Sequence, residues 1–151
     1  MKRKFLLFNI VCALFSGSFA AETVVNGNGF SNKKMLNQNR QIVKMASEGI
    51  SRTLPQRVDQ YTTLVRVEGK DTTLTYIFEI NTGAKSDEAV KEEGRERMQK
   101  VVTEGICRSS KRFLDSRINI TYRYMSAASK DELFHFDVSK ADCHYTDWKV
   151  K

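Results

Sequence analysis

Apolar residues recur at helical spacing in two segments of the chain. In the first, which we predict to be a helix over residues 31–52, the apolar stripe consists of Met35, Leu36, Ile42, Val43, Ala46 and Ile50. Ser31 is a residue type that caps helices, so it marks the predicted start. Leu54-Pro55 predicts the end, because a residue that precedes proline avoids the helical region.

The second helical segment is predicted over residues 86–106. Ser86 is a suitable cap, and Asp87 and Glu88 follow it, where the helix dipole favours acidic side chains. The stripe that we expect to be buried consists of Val90, Met98, Val101, Val102 and Ile106.

Four other segments alternate between apolar and polar residues, as half-buried strands do. They cover residues 60–67, 72–80, 118–125 and 132–138. In the second strand Leu74, Tyr76, Phe78 and Ile80 share one face, which predicts a sheet with one buried and one solvated face. The order αββαββ therefore predicts an α+β two-layer sandwich, with a four-stranded antiparallel sheet and both helices on one face.

A short repeat suggests how this order arose. Residues 48–52 (EGISR) and 104–108 (EGICR) match at four of five positions, and the same offset places Phe78 on Phe134 and Ile80 on Phe136. Two interpretations stay open, a duplicated αββ unit and a chance match.

The first twenty residues have the layout of a secretory signal peptide. Lys2, Arg3 and Lys4 precede an apolar run over residues 5–15, and small residues at 17–20 allow cleavage after Ala20. The run is too short for a stable membrane span, which disfavours an uncleaved anchor. A lipoprotein signal at Cys12 is disfavoured because the branched Val11 precedes it. We predict a signal peptide (1–20), a flexible leader (21–30), one α+β domain (31–144) and a tail (145–151), with the mature protein in the periplasm.

Charge and motifs exclude several functions. The formal charge is +7, and removal of three cations with the signal peptide leaves +4 (7 − 3 = 4), without any block of like charge that would favour nucleic acid. No nucleophile, metalloprotease or phosphate-loop motif is present in the sequence, so we predict neither an enzyme nor a cofactor. Cys143 with His135 and His144 forms a weak metal candidate, because an exported cysteine with a second one available is expected to oxidise.

Cysteine usage predicts one disulfide. The mature chain would keep only Cys107 and Cys143, and an exported protein with two cysteines most economically pairs them.

A basic cluster lies in the connection after the second predicted helix. It comprises Arg108, Lys111, Arg112 and Arg117, and Arg123 in the following strand extends it. Arginine forks suit an anionic partner, such as lipopolysaccharide or an acidic protein face. The alternative is an ordinary solvated connection.

Several fold-making residues carry a family resemblance. They are Leu54-Pro55, Val58-Asp59, Thr62-Thr63-Leu64, Leu74-Thr75-Tyr76, Cys107, the run at 120–124 (ITYRY), Phe136-Asp137-Val138 and Asp142-Cys143. With these residues the chain resembles small bacterial periplasmic proteins and, more distantly, is similar to the AspS-type pilotins of type II secretion. The resemblance implies a helix with a cysteine near its end, paired strands and a final cysteine that closes a disulfide. Such pilotins are typically lipoproteins, and this sequence departs from them in having no acceptable lipidation site.

Two functional hypotheses follow. The first is a non-enzymatic accessory or assembly factor that binds an envelope protein, in the manner of a pilotin, with exposed sheet edges available to a partner strand. The second is a periplasmic immunity or inhibitor protein that blocks a toxin or hydrolase.

Overall fold

The computed structural model of the protein describes residues 28–144, with side chains from residue 31 onward. The predicted signal peptide, most of the predicted leader and the predicted tail lie outside these residues. The elements in chain order are α1 (Asn28–Ser51), β1 (Gln56–Arg57), β2 (Thr62–Lys70), β3 (Thr73–Ile80), α2 (Asp87–Ser109), α3 (Lys111–Asp115), β4 (Asn119–Ser126), β5 (Glu132–Val138) and a 3-10 turn (Lys140–Asp142).

The sheet is mixed, with the order β1-β2-β3-β4-β5. Antiparallel pairs join β1 to β2, β2 to β3 and β4 to β5, whereas β3 and β4 are parallel, in register from Thr73↔Asn119 to Ile80↔Ser126. The α+β class is confirmed, but the predicted four-stranded antiparallel sheet is wrong in its strand number and in this central pairing. The physical reason is the crossover: α2 lies between β3 and β4 and returns the chain to the end of the sheet where β3 began, so the next strand runs parallel.

The observed element boundaries differ most from the predicted ones where the sequence has no hydrophobic periodicity that would indicate them. α1 begins at Asn28, so residues 28–30 belong to the helix and Ser31 lies inside it, not at its cap. Ser86 is the N-cap of α2, as predicted, and its Oγ accepts a hydrogen bond from the Ala89 amide at 3.3 Å. β1 has two residues and α3 has five, and both are too short to produce a hydrophobic period in the sequence.

One apolar core lies between the helices and one face of the sheet. Val43 of α1 and Ile106 of α2 belong to the same cluster as Leu74 and Ile120 of the central strands, and each is at most 1% exposed. Both long helices therefore cover the same face of the sheet, as predicted.

The packing does not follow the sequence repeat. α1 packs chiefly on β2, the first strand of its hairpin, whereas α2 packs chiefly on β5, the second strand of its own. A duplicated αββ unit would place both helices on equivalent strands. The two helices instead cover the outer parts of the sheet.

α1 approaches β2 closely at Gly69. A Cβ atom at this position would lie 2.8 Å from Val43 Cγ1, 2.8 Å from Ser47 Oγ and 2.9 Å from the Val43 carbonyl oxygen. Glycine therefore lets the helix backbone lie directly on the strand. Within residues 28–144 no helix has the length and apolar character needed to cross a membrane.

Candidate functional site

A continuous band of aromatic rings occupies the helix-covered face of the sheet. Tyr76 and Phe78 of β3 alternate with solvent-side residues, as do Tyr122 and Tyr124 of β4, and the parallel register sets these pairs side by side. The ring centroids of Tyr76 and Tyr122 are 5.2 Å apart, and those of Phe78 and Tyr124 are 5.0 Å apart in a stacked arrangement. We call these four residues the aromatic floor. Phe134 of β5 continues the band, 5.3 Å from Tyr124.

The aromatic floor lies under the space between the two long helices. Because α1 packs chiefly on β2 and α2 on β5, the central strands receive less cover, and the helices make few contacts with each other. Tyr76 and Tyr122 are accordingly only half-buried, although they lie on the core side. Such a surface can bind apolar or aromatic side chains of a partner.

Burial controls the ionisation of the floor. It raises the pKa of Tyr76, Tyr122 and Tyr124, in each case chiefly by desolvation of the phenolate. The three phenols are therefore neutral at physiological pH. A neutral hydroxyl beside an apolar ring can donate or accept one hydrogen bond to a bound segment.

A disulfide links α2 to the segment that follows β5. Cys107, near the end of α2, is bonded to Cys143, with the Cα atoms 5.5 Å apart and 36 positions apart in sequence. This is the predicted pair. It ties the end of α2 to the segment that follows β5, so the helix and the edge strand beneath it are held together.

The structure distributes the five predicted cations over different surroundings. Arg108 lies 3.9 Å from Glu104, and Lys111 pairs with Asp115 at 2.6 Å. The hydrogen bonds from Lys111 and then from Lys140 lower the pKa of Asp115. Arg112 is exposed on α3.

Arg117 and Arg123 lie elsewhere. Arg117 occupies the turn between α3 and β4, and together with residues of α1 it lines a cavity. Arg112 does not line this cavity. Arg123 alternates with Tyr122 and Tyr124 and so projects from the opposite, open face of the sheet. Its Nε lies 3.0 Å from Glu132 Oε2, in an ion pair whose geometry does not make a hydrogen bond.

The open face carries a small polar network around His135. Its Nδ1 lies 2.6 Å from Glu132 Oε1, and its Nε2 lies 3.7 Å from Asp137 Oδ2. Asp137 also accepts a hydrogen bond from the Thr121 hydroxyl at 2.6 Å. Among the residues that the structure describes, no three histidine, cysteine or acidic side chains are grouped so that they could hold a metal ion.

Sequence reasoning missed the aromatic floor as a unit. The alternation in β3 predicted that Tyr76 and Phe78 share a face, and the same holds for Tyr122 and Tyr124 in β4. Their meeting depends on the parallel pairing of β3 with β4, which the expected antiparallel sheet did not contain. The available signal was the repeated spacing of aromatic residues in two strands.

Solved structures with the same fold define a class. A pilotin of the type 2 secretion system of Vibrio vulnificus, EpsS, matches with a TM-score of 0.63 at 13% identity, over 76% of this chain and 100% of that one. The type II secretion system pilotin AspS of Vibrio cholerae matches with a TM-score of 0.58 at 18% identity, over 75% and 99%. A Pseudomonas aeruginosa protein, described as a candidate secreted protein, matches with a TM-score of 0.64 at 9% identity, over 73% and 96%. The chain thus has the α+β fold of these pilotins, and its similarity to them is distant in sequence.

The family is defined by sequence. The family described as Domain of unknown function (DUF8479) matches residues 37–134, more than half of the chain, and the protein belongs to it. That match covers most of α1, the aromatic floor and the start of β5. No curated protein matches the chain.

Proposed function

We propose that the protein is an exported accessory factor of the cell envelope that binds a component of a secretion machine, as a pilotin-like protein. The observation that carries this proposal is the fold, which is similar to two type II secretion pilotins over nearly their whole length. The signal-like N-terminus supports export to the periplasm, and a disulfide suits that oxidising compartment.

The aromatic floor is the surface that we assign to the partner. It presents two half-buried tyrosines, Tyr76 and Tyr122, beside the buried rings of Phe78 and Tyr124. Because α1 and α2 leave this part of the sheet incompletely covered, the surface favours an amphipathic segment that inserts its apolar side chains between the helices. The role is binding without catalysis, because neutral phenols and apolar rings supply recognition and no acid–base pair.

Affinity purification of the exported protein from envelope extracts tests this assignment. We expect the wild-type protein to capture a component of an envelope secretion complex, identified by mass spectrometry. Tyr76→Ala should reduce capture several-fold, because truncation of a central aromatic anchor commonly costs more than 1 kcal/mol of binding free energy. Thr75→Ala is the matched control, since Thr75 adjoins Tyr76 but lies on the opposite face of the sheet.

Thermal unfolding of both variants separates loss of binding from loss of fold. If folded Tyr76→Ala protein captures the same component as efficiently as the wild type does, the floor is not the binding surface. If the wild type captures no component of a secretion complex, the pilotin-like role itself is wrong.

A further inference from the structure

A cavity of about 420 Å³ lies beside the first half of α1, at the end of the sheet where β2 turns into β3 and β4 begins. Its volume falls within the usual range of small-molecule sites, roughly 300–1,000 Å³. The lining comes from three parts of the chain: α1, the β2–β3 turn and the turn between α3 and β4. The lining residues are Asn32, Lys33, Met35, Leu36, Asn39, Thr72 and Arg117.

Two cations and no acid line this cavity. Neither Lys33 nor Arg117 has an ion pair or a side-chain hydrogen bond among residues 31–144. Asp71, which adjoins the lining residue Thr72, is engaged by Arg40 at 3.3 Å. The cavity is therefore a place of uncompensated positive charge.

The position of Arg117 is fixed by its surroundings. Its backbone has φ = 63°, a region that non-glycine residues rarely occupy. The Arg117 amide donates to the Leu114 carbonyl at 3.0 Å, and Nδ2 of the buried Asn39 donates to the carbonyl of the preceding residue, Ser116, at 2.6 Å. A lining residue of α1 thus holds the turn that presents the guanidinium at the cavity.

The rest of the lining is suited to a ligand that is partly apolar. Met35 is half-buried and Leu36 is 40% exposed, although both belong to the apolar stripe of α1. Positive charge and an apolar wall therefore converge on one space.

We propose that this cavity binds a small anionic amphiphile. Its carboxylate or phosphate head lies between Lys33 and Arg117, and its short apolar chain packs on Met35 and Leu36. This site is separate from the aromatic floor, and the proposal does not depend on the secretion role.

Titrations of the folded, disulfide-bonded protein by NMR test the proposal. Octanoate and octyl phosphate, the probes, should shift the amide signals of residues 32–39, 72 and 117 in a saturable way. The tighter of the two probes then identifies the head group as carboxylate or phosphate. Lys33→Gln and Arg117→Gln should each weaken binding about fivefold, the effect of removing one charged contact from a partly solvated site.

Two control variants distinguish specific binding in the cavity from general attraction of an anion to a positively charged protein. Arg112→Gln removes an exposed cation that does not line the cavity, and it should leave the affinity unchanged. Arg117→Gly relieves the left-handed backbone while it deletes the guanidinium, so binding should weaken without a fall in melting temperature.

Three results would overturn the proposal. Inorganic phosphate that binds as tightly as octyl phosphate would show that the apolar wall contributes nothing. Octyl glucoside, which is uncharged, would show that the two cations contribute nothing if it bound as tightly as octyl phosphate. An absence of saturable shifts would show that no specific site exists. Arg112→Gln would show the same if it weakened binding as much as Arg117→Gln does.

Discussion

Replacement of Gly69 by alanine tests the packing of α1 on the sheet. The added Cβ would lie 2.8 Å from Val43 Cγ1 and 2.9 Å from the Val43 carbonyl oxygen, and the second of these atoms belongs to the helix backbone. A side chain can rotate away, but the backbone can move only if the helix shifts. Overpacking of this kind costs about 1–3 kcal/mol. We therefore expect Gly69→Ala to lower the free energy of unfolding by that amount in urea denaturation.

Gly105→Ala is the matched control, with the opposite sign. Gly105 lies in α2, and nothing lies within 4 Å of a Cβ built there. Alanine in a helix interior is about 0.5–1 kcal/mol more favourable than glycine. The two variants make the same chemical change, so their difference of roughly 1.5–4 kcal/mol reports the contact between α1 and β2. An unchanged or increased stability of Gly69→Ala would refute this packing.

Three further predictions concern the disulfide and two ionisable groups. Replacing Cys107 and Cys143 by alanine should lower the free energy of unfolding by about 4 kcal/mol, from the loop-entropy relation for 36 positions; a urea series should show this, and a loss under 1 kcal/mol would contradict it. Hydrogen bonds from the Ser139 hydroxyl and amide lower the pKa of Asp142 below 3.8 in the folded state. The stability that the ionised Asp142 contributes is therefore present above pH 3.8 and is lost as the pH falls through the folded-state pKa. Asp142→Asn should accordingly make the melting temperature fall less steeply as the solution is acidified. Burial raises the pKa of the Tyr124 phenol above 10.0 in the folded state. The stability that the neutral phenol contributes is therefore complete below pH 10 and is lost as the pH rises through the folded-state pKa. Tyr124→Phe should reduce this loss of stability at alkaline pH.

Local patterns predicted most of the architecture. β5 is found at the predicted residues, and β3 differs by one residue, because alternation of apolar residues reports a half-buried strand directly. The Ser86 cap was predicted because its acceptor function needs only local backbone. The order αββαββ of the larger elements was also correct, and it implied two layers.

Strand direction and the candidate cavity depend on distant residues. Alternation is the same in parallel and antiparallel strands, so it did not reveal that β4 joins β3 in parallel. The cavity unites Lys33 with Arg117, which are far apart in sequence, and the interpretation of Arg117 as part of one basic cluster rested on sequence proximity alone. Arg123, by contrast, lies on the opposite face of the sheet from the aromatic floor because it alternates with Tyr122 and Tyr124 along β4.

Photo-crosslinking in cells tests the central claim most directly. A photoreactive amino acid replaces Tyr122 in the aromatic floor or, as the matched position, Arg66 on the open face of the sheet. We predict that the probe at Tyr122 forms a crosslink to an envelope secretion component, identified by mass spectrometry, and that the probe at Arg66 does not. A crosslink to such a component from Arg66 alone, or from neither position when both proteins are folded and exported, would contradict the account.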